Sequence, residues 1–193
     1  MVGGMTEKLE TTDKDDLVLR ARTDPDALGR LYDLYYERIY RFCVYRVYYA
    51  QVAEDVVSTT FLTVARKIGS FKGVNEADFR NWLYTIAVNH CNTYIRNTLT
   101  RRKLLEDAAE EIAPGGVDSV DQSHWPVLYR AISELKPKHQ TIVTLRYFEK
   151  MDYEQIGEIV NAKAATVRVT LHRIIEKLKV LLKADTDGGP EDV

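Results

Sequence analysis

Residues 79–103 read FRNWLYTIAVNHCNTYIRNTLTRRK and contain neither aspartate nor glutamate. The cations Arg80, Arg96, Arg101, Arg102 and Lys103 share this stretch with Trp82, Tyr84 and Tyr94, and with Asn81, Asn89, His90 and Asn92. A solvated helix ordinarily mixes both signs of charge. Cations without acids, interleaved with flat rings and amides, suit a nucleic-acid surface: the cations meet phosphate and the rings stack on unpaired bases. The plainer alternative is a buried amphipathic helix with a basic end. Trp82, Leu83, Ile86, Ala87 and Ile95 lie at near-helical spacing, so part of the stretch belongs to a core under either reading.

A second constellation lies near the C-terminus. In DYEQIGEIV, Asp152 and Gln155 have the spacing of a capping box, and Ile156, Ile159 and Val160 form an inward face. Gly157 admits the close approach of another helix. After Asn161 to Lys163 a longer helix begins, with Val167, Leu171, Ile174 and Leu178 as its core face. The opposite face carries Ala165, Thr166, Arg168, Val169, His172 and Arg173, and residues 161–175 contain no acid. A capped short helix, a tight turn and a longer helix with a small, cationic outer face make a helix-turn-helix. The first helix braces against the DNA backbone and the second enters the major groove. A generic helical hairpin is the alternative, and the acid-free outer face favours DNA.

Other chemistries find no footing. His90, His124, His139 and His172 are scattered without a metal-ligand partner at helical spacing. Asp118 and Asp121 fall in a flexible segment that cannot preorganise a carboxylate pair. There is no phosphate-cradling glycine loop. These absences predict a protein without catalysis, cofactor or metal. Cys43 and Cys91 are too few for a disulfide scaffold and read as buried, reduced thiols, which fits a cytoplasmic protein. No apolar run reaches membrane length and the N-terminus is polar, so neither membrane insertion nor a signal peptide is expected. The net charge of −2 over 193 residues means that any DNA surface must come from segregated charge.

The elements that position these residues are all helical. Residues 1–16 read as a disordered tail, with Asp13, Asp15 and Asp16 helping to start a helix at Leu17. From Asp26, Leu28, Leu31, Tyr32, Leu34, Tyr35, Ile39, Phe42, Cys43 and Val47 run at helical spacing. Residues 52–68 form a second amphipathic helix. Its inner face is Ala53, Val56, Val57, Thr60, Phe61, Val64 and Ile68; its outer face includes Asp55, Ser58, Thr59 and Leu62. Residues 70–77 form a loop in which Phe71 and Lys72 could hold one base. Residues 104–125 are acidic and interrupted by Pro114, Gly115 and Gly116, a linker extended by its own charge. Ser123 and Pro126 open a further helix with Leu128, Ala131, Ile132 and Leu135 on one face. Pro137 opens another, carrying Ile142, Val143, Leu145 and Phe148. From Ala184 the chain reads as a disordered acidic tail. The expected divisions are therefore 1–16, 17–103, 104–125, 126–183 and 184–193, an all-α fold of two helical domains on a flexible acidic linker.

Three of these segments, in this order, resemble a bacterial sigma factor of the small, two-domain, extracytoplasmic-function type. AEDVVSTTFLTVARK resembles the family's polymerase-docking helix in sigma region 2. FRNWLYTIAVNHCNTYIRNTLTRRK resembles its helices that melt and read the −10 element. LKPKHQTIVTLRYFEKMDYEQIGEIVNAKAATVRVTLHRIIEKL resembles its region 4 helix-turn-helix for the −35 element. The resemblance covers roughly residues 17–183 and implies core RNA polymerase and promoter DNA, duplex and melted, as partners. It implies that Asp55, Ser58, Thr59 and Leu62 face polymerase and that a loop around Phe71, Lys72 and Asn75 captures a flipped base. Arg80, Trp82, Tyr84, Asn89 and Asn92 then lie on or behind the strand-binding surface, while Arg96, Arg101 and Arg102 hold phosphates. Lys163, Thr166, Arg168, Val169, His172 and Arg173 stand where the upstream element is read or clamped. The family often has an anti-sigma partner as well.

The departures from the family pattern are specific. Ser58 and Thr59 stand where the docking helix usually carries Gln and Glu, which shortens or removes two polar contacts to polymerase. Lys163 occupies a cap position where Ser is common, Val169 a position that is often small and polar, and Thr170 one that is often Arg. Glu149 and Lys150 lie in a turn that is often glycine-rich. Two rival readings stand beside the main one. The first is a helix-turn-helix regulator without polymerase docking. The second is a degenerate sigma-like protein acting through protein partners.

Overall fold

The computed structural model describes residues 11–109 and 127–187. Among these residues there is no strand, and the chain folds as two compact units, residues 1–91 and 92–193. The bulk of the expected linker, with Ser123 and Pro126, and the terminal segments 1–10 and 188–193 lie outside the described residues.

The first unit opens with α1 (Thr11–Arg20), followed by α2 (Pro25–Val47) and α3 (Ala50–Lys67). α1 starts six residues earlier than the sequence suggests, with Asp13 in its first turn where a carboxylate suits the helix dipole. Asp24 caps α2 through the Asp26 amide, and Pro25 occupies the first helical position, where its missing N–H costs nothing. α2 buries Ala27, Leu31, Tyr35, Ile39, Phe42, Cys43, Arg46 and Val47, a stripe at helical period that faces α3 and α1. Leu28 and Leu34 lie at the margin of that stripe and Tyr32 outside it. The α3 face assigned from spacing is buried at every position, from Ala53 to Ile68.

A 3-10 turn (Ile68–Ser70) and a loop lead to α4 (Glu76–Ala109), one continuous helix of 34 residues. It takes in the last two residues of the expected loop and runs through residues 104–109, which composition assigns to the linker. Glu106 and Asp107 are compatible with a helix, and the breakers Pro114 and Gly115 come only later. Within the first unit α4 buries Phe79, Leu83, Tyr84, Ile86, Ala87, Val88 and Cys91, most of its circumference. Its rings meet those of α2: Tyr84 lies edge-on to Phe42 at 5.3 Å and Phe79 to Tyr35 at 5.5 Å.

In the second unit α5 (Val127–Ser133), α6 (Pro137–Val143) and α7 (Tyr153–Val160) all pack on α8 (Ala164–Asp187). α6 widens at its C-terminal end into a π-helical turn (Thr144–Phe148), closed by the Glu149 amide on the Thr144 carbonyl. The core holds Ala131, Ile132, Leu135, Ile142, Val143, Leu145, Met151, Ile156, Ile159, Val167, Leu171, Ile174 and Leu178. Leu128 is exposed although it shares the face of Ala131 and Ile132, because it stands in the first turn of α5 at the end of that face. Gln140 satisfies the end of α5 by donating from Nε2 to the Ser133 and Leu135 carbonyls, both at 2.9 Å. α8 runs on to Asp187, beyond the expected start of the tail at Ala184.

Candidate nucleic-acid interface

The outer face of α3 presents Asp55, Ser58, Thr59 and Leu62 to solvent, and Leu62 is 50% exposed. These positions recur at i, i+3, i+4 and i+7, so they form one stripe opposite the core face. The Thr59 hydroxyl is turned back onto its own helix, donating to the Asp55 carbonyl at 2.8 Å. Thr63 does the same to the Thr59 carbonyl, which leaves its oxygen to accept from His90 Nε2 at 3.0 Å. Partial burial and the nearby Lys67 cation pull the His90 pKa down.

Backbone bonds close the two ends of the loop between α3 and α4, the Phe71 amide on the Ile68 carbonyl and the Phe79 amide on the Asn75 carbonyl, and side chains tie down its middle. Asn75 Oδ1 accepts the Asp78 amide at 2.8 Å and so starts α4. Asp78 Oδ2 in turn accepts the Val74 amide at 2.8 Å. Phe71 stacks on Trp82 with ring centroids 4.8 Å apart and meets Phe79 edge-on at 6.1 Å. A Cβ on Gly73 would sit 2.3 Å from the Phe71 ring and 2.5 Å from the Asp78 Cβ, so only glycine fits beneath that ring. Phe71 is thus a wall of the loop with one face already occupied. Lys72 and Val74 are the loop side chains turned outward.

Along α4 the anticipated DNA residues separate into three groups. Trp82, Asn89 and Arg96 recur every seven residues and share one helical stripe; Asn89 and Arg96 are exposed and Trp82 is half-buried under Phe71. Arg80 projects from the other side of the helix, half-buried near the Tyr35 hydroxyl, and Asn92 is half-buried. Tyr84 is a correction: it is 0% exposed against Phe42, so its ring reaches no ligand in this structure and serves the core. Arg101 and Arg102 lie on the helical backbone of α4.

In the second unit the capping box is present in full. Asp152 Oδ1 accepts the Gln155 amide at 2.8 Å, and Gln155 Oε1 accepts the Asp152 amide at 3.2 Å. Asn161 ends α7 in the left-handed conformation at φ 49°, a conformation asparagine tolerates. Gly157 lets the turn and the start of α8 come close: a Cβ there would lie 2.5 Å from the Ala162 carbonyl oxygen and 3.5 Å from the amide nitrogen of Ala164, the first residue of α8. Thr166, Arg168, Val169, His172 and Arg173 are all exposed on α8 and Lys163 is exposed just before it, while Val167, Leu171 and Ile174 are buried. Arg146, which the sequence did not single out, holds the entry to α7. Its guanidinium donates to the Met151 carbonyl at 2.7 Å and lies 4.7 Å from the Tyr153 ring centroid. Among the described residues no cluster of His, Cys, Asp or Glu could hold a metal ion, and no helix is long and apolar enough to cross a membrane.

Residues 31–102 match the family model of Sigma-70 region 2, and residues 127–178 match that of Sigma-70, region 4. The chain is 33% identical over 177 residues to the ECF RNA polymerase sigma factor BldN of Streptomyces coelicolor, spanning 88% of this chain and 66% of that one. It is 31% identical over 159 residues to the RNA polymerase sigma factor CarQ of Myxococcus xanthus, spanning 81% of this chain and 90% of that one. The solved structure of CnrH in complex with the cytosolic domain of CnrY has the same fold, at a TM-score of 0.67 and 17% identity over 89% of this chain and 98% of that one. So does the sigma factor RpoE in complex with the anti-sigma factor NepR from Bartonella quintana, at a TM-score of 0.61 and 22% identity over 81% of this chain and 97% of that one. A regulator lacking polymerase docking is not favoured, because the first unit carries the region 2 match as well as the second carrying region 4. With both regions present in order, the chain belongs to the extracytoplasmic-function family of RNA polymerase sigma factors, which bind core RNA polymerase and direct promoter-specific transcription initiation.

Proposed function

We propose that this sigma factor divides promoter recognition between the exposed face of α8 and the surface formed by α4 with the loop before it. The observation that carries this reading is the pairing of the capped α7 and its left-handed turn with an α8 face that is exposed, acid-free and cationic at Arg168 and Arg173. In this reading α8 enters the major groove of the −35 element, with Thr166 and Val169 toward base edges and Lys163, Arg168, His172 and Arg173 toward bases or phosphate. A single base of the melted non-template strand enters beside Lys72 and Val74. The Trp82–Asn89–Arg96 stripe follows the strand, with Arg101 and Arg102 adding phosphate contacts.

The stripe of Asp55, Ser58, Thr59 and Leu62 docks on core polymerase, with Leu62 as the apolar anchor. Mechanistically the factor spends binding energy on DNA. Duplex contacts at the upstream element anchor it, and capture of unstacked bases shifts the downstream element toward the open state. The factor performs no catalytic step itself and acts in the cytoplasm, where polymerase works. The complexes of RpoE with NepR and of CnrH with CnrY support a protein partner of anti-sigma type for this chain as well.

In vitro transcription with purified core polymerase on a fragmented genomic library tests the reading. Transcripts should start downstream of a shared two-part element and disappear with Leu62→Asp or Arg173→Ala. Tight DNA binding without polymerase, and no transcripts with it, would overturn it.

A further inference from the structure

We infer that Asp15 and Arg22, from α1 and the turn after it, are positioning residues for the base-receiving loop, a claim that rests on the reading of that loop above. Both lie outside residues 31–102, the segment matched to Sigma-70 region 2. Asp15 Oδ1 accepts the amide of Glu76 at 2.7 Å, fixing the exit of the loop at the first residue of α4. Arg22 donates to the carbonyl of Gly73 at the loop's middle, and its guanidinium lies 5.9 Å from the centroid of the Phe71 ring. Glu76 is held in turn by the Tyr35 hydroxyl, which donates to its Oε1.

Residues 71–75 belong to no helix, so their polar groups need partners from elsewhere. The contacts come from two directions: Asp78 of α4 accepts the Val74 amide and gives its own amide to the Asn75 side chain, a first pair, and the N-terminal segment supplies a second, Asp15 on the Glu76 amide where the loop enters α4 and Arg22 on the Gly73 carbonyl. The second pair spans 61 and 51 residues of chain, so it locks the loop onto α1 and not merely onto its own helix. The result leaves Lys72 and Val74 as the outward side chains, at a fixed spacing from the Phe71–Trp82 stack. A loop ordered before DNA arrives discriminates one base from another, because no part of the contact energy is consumed in ordering it. The N-terminal segment therefore sets promoter selectivity at one nucleotide without touching that nucleotide.

The test uses full-length protein with core polymerase and a fork-junction DNA library whose unpaired non-template segment is randomised. Asp15→Ala and Arg22→Ala should reduce discrimination at one position by about tenfold, the size of one or two lost charge-assisted hydrogen bonds, and leave the others unchanged. Asp15→Asn keeps the acceptor for the Glu76 amide and should restore the preference. A Trp125→Phe background isolates Trp82, whose emission should become more accessible to acrylamide when Arg22→Ala frees Phe71. Unchanged quenching, or a loss spread evenly over all positions, overturns the positioning role. Increased quenching with selectivity intact shows instead that the loop is latched but does not read a base. That outcome sinks the reading beneath the inference while leaving the latch standing.

Discussion

The sulfurs of Cys43 and Cys91 lie 3.9 Å apart, one on α2 and the other on α4, and neither side chain is exposed. Cys91 Sγ donates a weak hydrogen bond to Cys43 Sγ, and no disulfide joins them, since that would bring the sulfurs to about 2.05 Å. The hydrogen bond from Cys91, together with burial, pushes the Cys43 thiol up, which keeps it protonated and unreactive. Both side chains are sealed from solvent, so both thiols should resist an alkylating reagent in the native protein and react together once urea unfolds the first unit. Rapid labelling of either cysteine under native conditions would contradict the packing of α2 on α4.

Leu62 and Thr59 give the stripe proposed to dock on polymerase its character. Leu62 is half-exposed, and the Thr59 hydroxyl is already engaged with its own helix. An apolar anchor without strong polar neighbours depends on that anchor. Leu62→Ala should weaken capture of core polymerase by about tenfold or more without lowering the thermal midpoint of the protein. Thr59→Glu frees the helix carbonyl and offers a carboxylate, so it should strengthen capture. The check is a competition pull-down against an unmodified chain at equal concentration.

The helices were legible from the sequence because most have one apolar stripe. The α3 face from Ala53 to Ile68 and the α8 face from Val167 to Leu178 follow directly from spacing. Tyr84 was misplaced because α4 is buried on most sides within the first unit, and a helix without a dry and a wet face gives periodicity nothing to report. Arg46 sits at the α2 core period after Phe42 and is 1% exposed, but its charge argues against burial when composition alone is weighed. Asp15 and Arg22 act on residues more than fifty positions away, and no local pattern encodes such a contact. Asp152 and Gln155, three residues apart, were readable because a capping box is a local device.

His90 makes the stability of the first unit sensitive to mild acid. Its folded pKa is lowered by burial and Lys67, so the unfolded chain binds the proton more readily. Stability linked to His90 is thus present above its unfolded pKa of about 6.5 and declines as the pH falls through that value toward the folded one. The urea midpoint of the wild type should drop more between about pH 7.5 and 5.5 than that of His90→Gln, which keeps a donor for Thr63. Equal drops in the two proteins would remove His90 from the linkage.

Arg173 is exposed on the side of α8 proposed to face DNA, whereas Lys179 further along pairs with Glu176 at 2.8 Å. A phosphate contact releases bound counterions, so its loss flattens the dependence of binding on salt. Arg173→Ala should reduce the slope of log affinity against log salt by roughly one unit, and Lys179→Ala should leave it unchanged. Fluorescence anisotropy of a promoter duplex with the polymerase-bound factor, titrated across a salt series, reads both. An unaltered slope for Arg173→Ala takes that residue out of the interface.

Two residues around the helix-turn-helix should respond in opposite directions. Lys150 holds φ 57° in the turn before α7, where a side chain is strained and glycine is not. Lys150→Gly should stabilise the second unit by up to about 1 kcal/mol, since the relief of strain outweighs the added freedom of the unfolded chain. Gly157 faces the Ala162 carbonyl oxygen so closely that a methyl group at 2.5 Å must displace backbone, not a flexible side chain. Gly157→Ala should therefore cost about 1–3 kcal/mol and swing the start of α8 away from α7. Hydrogen exchange at the α7 and α8 amides separates the two effects, slowing for Lys150→Gly and accelerating for Gly157→Ala. If Gly157→Ala leaves both exchange and −35 binding unchanged, the turn does not set the angle at which α8 meets the groove.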